Sequence, residues 1–111
     1  MQKLCVVDRL FPLIPSGEKT FTIRWKETRI EPGDMTYFCK GDPSKIATVR
    51  VTKCTHMPLS EAAAFVGKEE EWPDATLLEG MREHYPEIEL TDIVQIVEHL
   101  TPAQTLRLAN S

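Results

Sequence analysis

The sequence predicts an α+β fold, a small closed or nearly closed barrel of five to six short strands with two to three short flanking helices. Three observations carry that expectation. The first half reads as successive apolar segments of period two, separated by glycine, proline and aspartate turns. Helical periodicity begins only after Ser60. At 111 residues the chain fits one domain spanning residues 1–111, with a single core.

Taken in order, residues 3–7 form a candidate first strand. Pro12 and Pro15 limit the following segment to one helical turn, and Leu10, Phe11 and Ile14 are expected to cover one end of the barrel. Ser16-Gly17 is a breaker pair at which the chain should reverse. Glu31-Pro32-Gly33-Asp34 has the composition of a type II turn, followed by a strand over residues 35–39. After a loop at residues 40–44, residues 46–54 give the longest strand pattern, rich in threonine and valine. Ser60 is expected to cap a short helix that stops at Gly67. Asp74 is expected to cap a second helix, with Leu77, Leu78, Met81 and Tyr85 on one face and Pro86 as its stop. Residues 92–99 return to strand, and Thr101-Pro102-Ala103-Gln104 reads as a capping box that opens a last short helix.

The stretch from Gly17 to Lys26 is where chemistry is expected. Phe21, Ile23 and Trp25 alternate with Thr20, Thr22, Arg24 and Lys26, so one face of the strand should join the core and the other should be polar. The plain interpretation is an edge strand with a solvated polar face. The functional one is a hydroxyl and a fixed cation presented to a ligand. Lys19, Arg24, Lys26 and Arg29 together form a local basic patch able to hold a nucleotide, a single phosphate or a short RNA.

Charge distribution narrows the partners. Thirteen Lys/Arg against 17 Asp/Glu give −4 overall. Residues 1–60 carry 10 cations and 6 anions (+4), whereas residues 61–90 carry 2 and 9 (−7). A chain that gripped a long nucleic acid by its phosphates would need clustered cations and usually a basic balance. The apolar runs are too short to span a bilayer and the start lacks the pattern of a signal peptide, so a cytoplasmic location without membrane association is expected. Cys5, Cys39 and Cys54 are odd in number and widely spaced, and His56, His84 and His99 lack ligand spacing. Neither a disulfide framework, a metal site nor any cofactor is expected. Tyr37, Phe38, Trp72 and Tyr85 are candidates to stack on a base. Trp72, beside Pro73 in an acidic connector, is the best placed of them.

Gly17, Lys19 and Arg24 reproduce the G-x-K-x-x-x-x-R signature of the ASCH domain family, a branch of the PUA-like β-barrels. The Pro32-Gly33-Asp34 turn, the Leu59-Ser60-Glu61 helix start and the Tyr85-Pro86 stop also resemble that family's layout over residues 3–98. The similarity is greatest to its small bacterial members that hydrolyse the exocyclic amide of 4-N-acetylcytidine. It implies a small PUA-like barrel acting on an N-acylated pyrimidine nucleoside, with Lys19 and Thr22 as catalytic residues. A third, a glutamate, falls at Glu70 on counting back from Tyr85-Pro86 without gaps, or at Glu69 or Glu71 after a slip of one residue.

These roles suit amide hydrolysis, which needs a nucleophile, a base, an oxyanion donor and an acid for the leaving amine. Thr22 would be the nucleophile and Lys19 the base, then the acid. An ordinary lysine is almost wholly protonated at pH 7, so burial or a cationic neighbour is required. Glu70 would orient the base or hold the cytosine amine, and Arg24, Thr20, Trp72 and Glu69 would contact substrate. The alternative is an RNA- or nucleotide-binding PUA-like module, or a ribonuclease, without amidase activity. The expected partner is a small-molecule nucleoside, with short RNA as the other candidate; the oligomeric state is not legible.

Overall fold

A computed structural model describes residues 1–110. Among them the elements run β1 (Gln2–Val6), a 3-10 turn (Phe11–Leu13), β2 (Phe21–Arg24), β3 (Gly33–Cys39), β4 (Ile46–Pro58), α1 (Leu59–Phe65), α2 (Asp74–Arg82), β5 (Ile93–His99) and α3 (Pro102–Ala109). The strands form one five-stranded sheet of order β1-β3-β4-β5-β2. β1 lies parallel to β3 with Leu4 opposite Tyr37, and β3 lies antiparallel to β4 with Met35 opposite Val49. β2 is an edge strand although it follows β1 in sequence.

The chain forms two compact units. The first comprises residues 1–22, 30–54 and the described residues from 97 on. Its core is built on Ile14, Ile30, Met35, Tyr37 and Val49, all fully buried, with Leu10 and Phe11 packed against them. Each such side chain removed from water contributes roughly 1.5–3 kcal/mol. The reversal at Gly17 has φ +86°, and its amide donates to the Ile14 carbonyl at 3.1 Å. A Cβ there would also stand 3.2 Å from the Thr101 methyl, so glycine answers both the backbone and the space. At α3 the capping box is complete: Thr101 accepts from the Gln104 amide at 3.1 Å, and the Gln104 side chain accepts from the Thr101 amide at 3.0 Å.

The second unit comprises residues 23–29 and 55–96. Leu59, Ala62, Leu77, Ile88, Val94 and Ile96 are its buried centre, and Leu78, Met81 and Tyr85 pack on it from the face that the sequence assigns to the core. The described residues thus hold two hydrophobic clusters rather than the single core expected from chain length.

Both helix starts in this unit differ from the sequence reading. α1 begins at Leu59 after Pro58, with no side-chain cap from Ser60. β4 runs on to Pro58, and the Leu59 and Ser60 amides donate to the Asp92 and Leu90 carbonyls at 2.9 and 3.0 Å. These carbonyls satisfy two of the amides that a cap would serve. Asp74 is likewise the first residue of α2, with Pro73 at the N-cap position. α2 stops at Arg82, ahead of Tyr85-Pro86.

Candidate functional site

In the first unit, β2 departs from a solvated edge. Thr22 is only 4% exposed, so the polar side of the strand is withdrawn from water at that position. Thr20 is exposed, and its carbonyl accepts from the His99 amide at 2.9 Å. Lys19 is half-buried; its amide donates to the Leu13 carbonyl at 2.8 Å and its amine lies 5.7 Å from the centre of the Phe21 ring.

His99 is buried and its ring is held at both nitrogens. The Leu100 carbonyl, 2.8 Å from Nδ1, can only accept, so Nδ1 carries the proton. Nε2, 2.8 Å away, therefore accepts from the Tyr37 hydroxyl. Burial lowers the His99 pKa below its ordinary 6.5; the bond to Leu100 works the other way, and the positive charge of Lys19 adds to the lowering. The first unit thus sets a lysine within electrostatic reach of a buried neutral imidazole.

The second unit holds Arg24 with its side chain 11% exposed. Its Nη1 lies 3.4 Å from both carboxylate oxygens of Glu27. Glu27 also accepts the Tyr85 hydroxyl. Burial, then the hydrogen bond and charge of Glu27, push the Tyr85 phenol up to about 12. Trp25 meets Tyr85 edge-on at 6.0 Å, and Gln95 Nε2 donates to the Thr28 carbonyl at 2.8 Å. These contacts hold the loop after β2 at Trp25, Glu27 and Thr28. Lys26, inside that loop, takes φ +54° with its amine 4.4 Å from the centre of the Trp25 ring.

Two hollows open on this loop. One of about 340 Å³ is lined by Trp25, Lys26, Glu27, His84, Tyr85, Pro86 and Glu87. The other, of about 110 Å³, is lined by Arg24, Lys26, Glu27, Arg29, His56, Ile93 and Gln95. Three of the four cations of the expected basic patch line the smaller hollow.

The acidic connector is solvated. Glu69 and Glu70 are exposed in a turn, and Glu71 pairs with Lys68 at 3.5 Å. Trp72 is half-buried and packs on the second cluster, and Tyr37 is fully buried, which removes it as a surface for a base. Of the sequence-predicted site residues, Lys19, Thr20 and Thr22 belong to the first unit, and Arg24, Glu69, Glu70 and Trp72 to the second. Sequence reasoning missed Glu27, Gln95 and the polar partnership of Tyr37 with His99. Only Glu27 left a local signal, standing three residues after Arg24 as an ion-pair partner would.

Five strands in the order described, with three short helices, define an α+β fold. The same fold is found in two mutant crystal structures of ZmASCH from Zymomonas mobilis, one a tyrosine-to-phenylalanine and the other a serine-to-alanine substitution. The first matches with a TM-score of 0.65 at 10% identity, over 88% of this chain and 67% of that one. The second gives 0.64 at 10% identity, over 87% and 65%. The chain therefore spans about two thirds of the length of those proteins. No family model and no curated protein matches the sequence.

Proposed function

We propose that this chain is an ASCH-family amidohydrolase that removes the acyl group from an N-acylated pyrimidine nucleoside such as 4-N-acetylcytidine. The observation that supports it most is the withdrawal of Thr22 from solvent at 4% exposure on an edge strand. The spacing of Gly17, Lys19, Thr22 and Arg24 and the fold likeness to ZmASCH add to it.

In this reading the neutral Lys19 amine takes the Thr22 hydroxyl proton as Oγ1 attacks the acyl carbon. The C–N bond then breaks, and the ammonium of Lys19 returns the proton to the exocyclic amine, which leaves as cytidine. Water cleaves the threonine ester with Lys19 again as base, releasing acetate and restoring both residues. Glu70 assists by holding the base or the cytosine amine, while Arg24, Thr20, Trp72 and Glu69 contact substrate. Incubation of the purified protein with 4-N-acetylcytidine is expected to release cytidine and acetate in equal amounts. Failure to release either from the folded protein removes this reading.

A further inference from the structure

We infer that the larger hollow of the second unit is a binding site for a methylated ammonium group, where the Lys26 amine is the resident occupant until such a ligand displaces it. The walls are aromatic. Trp25 and Tyr85 stand at 84° with centroids 6.0 Å apart, and His84 meets Tyr85 at 63° and 6.3 Å. Rings set this way form a corner instead of a stack, and the face of each is the negative side of its quadrupole. The Tyr85 hydroxyl is tied to Glu27, which fixes that ring in place. Glu27 and Glu87 set two carboxylates in the lining against one lysine. Arg24 also draws on Glu27, so the charge left for a ligand is chiefly that of exposed Glu87. Arg24 and Arg29 line the smaller hollow and not this one. At about 340 Å³ the space lies at the lower end of the roughly 300–1,000 Å³ of small-molecule sites, which suits a compact group.

A cation already marks the site. Lys26 lines the hollow with its amine 4.4 Å from the centre of the Trp25 ring, inside the roughly 6 Å reach of cation–π attraction. Its backbone holds φ +54°, and it is the one non-glycine residue among those described in the left-handed region. That conformation is costly for a lysine and is kept where the surroundings impose it, as they do at ligand clamps. Aromatic carbon offers an ammonium no hydrogen-bond acceptor, so a primary amine gives up bonds to water when it sits on a ring. A methylated ammonium has fewer such bonds to lose, or none. It therefore outcompetes Lys26, whose exposed stem lets the amine swing out to water. The inference does not rest on the hydrolytic reading, whose Lys19 and Thr22 lie in the first unit.

Calorimetric titration of the whole chain in an amine-free buffer at fixed ionic strength tests it, with choline, its neutral isostere 3,3-dimethylbutan-1-ol, and a short peptide carrying one trimethyllysine as probes. Choline is expected to bind about tenfold or more tightly than the isostere, which has the same shape and no charge. Lys26→Gly, which removes the competing amine and suits the positive φ, is expected to tighten choline binding about threefold or more. Glu87→Gln is expected to weaken choline and leave the isostere unchanged, and Trp25→Leu to abolish the preference in protein that circular dichroism shows to be folded. Tighter binding of the peptide than of choline assigns the group to a methylated polypeptide side chain; equal or weaker binding assigns it to a free small molecule. Equal affinity for choline and its isostere, no saturable binding of choline, or choline binding that Lys26→Gly leaves unchanged or weakens overturns the proposal.

Discussion

The Tyr37 hydroxyl donates to His99 Nε2 at 2.8 Å inside the first unit, joining β3 to β5 across 62 positions of sequence. The two rings also meet edge to face, with centroids 5.3 Å apart. The second ring nitrogen is committed to Leu100, so removing the phenol leaves Nε2 buried and unsatisfied. Tyr37→Phe is therefore expected to destabilise the protein by about 1–3 kcal/mol in a denaturant titration.

The same histidine makes stability depend on pH. Its pKa lies below 6.5 in the folded chain and returns to about 6.5 on unfolding, so the unfolded state binds the extra proton first. The contribution is fully present above pH 6.5 and is lost as the pH falls from there through the folded value. Thermal midpoints measured between pH 8 and pH 5 are expected to fall with acid, and His99→Gln to flatten that slope.

Tyr85 works at the opposite end of the scale. Its phenol, pushed up to about 12, stays protonated in the folded chain where an unfolded tyrosine ionises near 10. This stabilisation is complete below pH 10 and is lost as the pH rises through about 12. A spectrophotometric titration at 295 nm is expected to show a late phase that Tyr85→Phe deletes. Glu27→Gln moves that phase down, because the carboxylate is the second cause of the shift after burial.

Asp8 binds Gly41 through its amide at 2.6 Å and the Cys39 thiol at 3.1 Å. These two bonds, the thiol's being the larger cause, hold its carboxyl below the ordinary 3.8. A Cβ at Gly41 would collide with that carboxylate. Gly41→Ala is expected to push Asp8 aside, raise its pKa toward 3.8 in an NMR titration, and lower the thermal midpoint.

For the hydrolytic reading, Thr22→Ala and Lys19→Ala are each expected to abolish turnover of 4-N-acetylcytidine. Thr22→Ser, which keeps the hydroxyl, is expected to retain a measurable fraction of it. Equal activity in Thr22→Ala and Thr22→Ser would place the nucleophile elsewhere.

Much of the local structure was legible because its causes are local. The positive φ at Gly17, the Thr101–Gln104 capping box and the apolar face of Leu77, Leu78 and Met81 each depend on residues within a turn or two of one another. The cationic patch of Arg24, Lys26 and Arg29 was equally visible, since six consecutive residues carry it.

Longer pairings left no such trace. The Glu27–Tyr85 bond spans 58 positions, Gln95 reaches Thr28 across 67, and the sheet order puts β2 beside β5 rather than β1. Alternation alone marked Thr22 as polar, and polarity ordinarily means water. Its burial came from the chain closing around it, a choice among distant partners that is made by the sum of packing and hydrogen bonds and is written in no short segment.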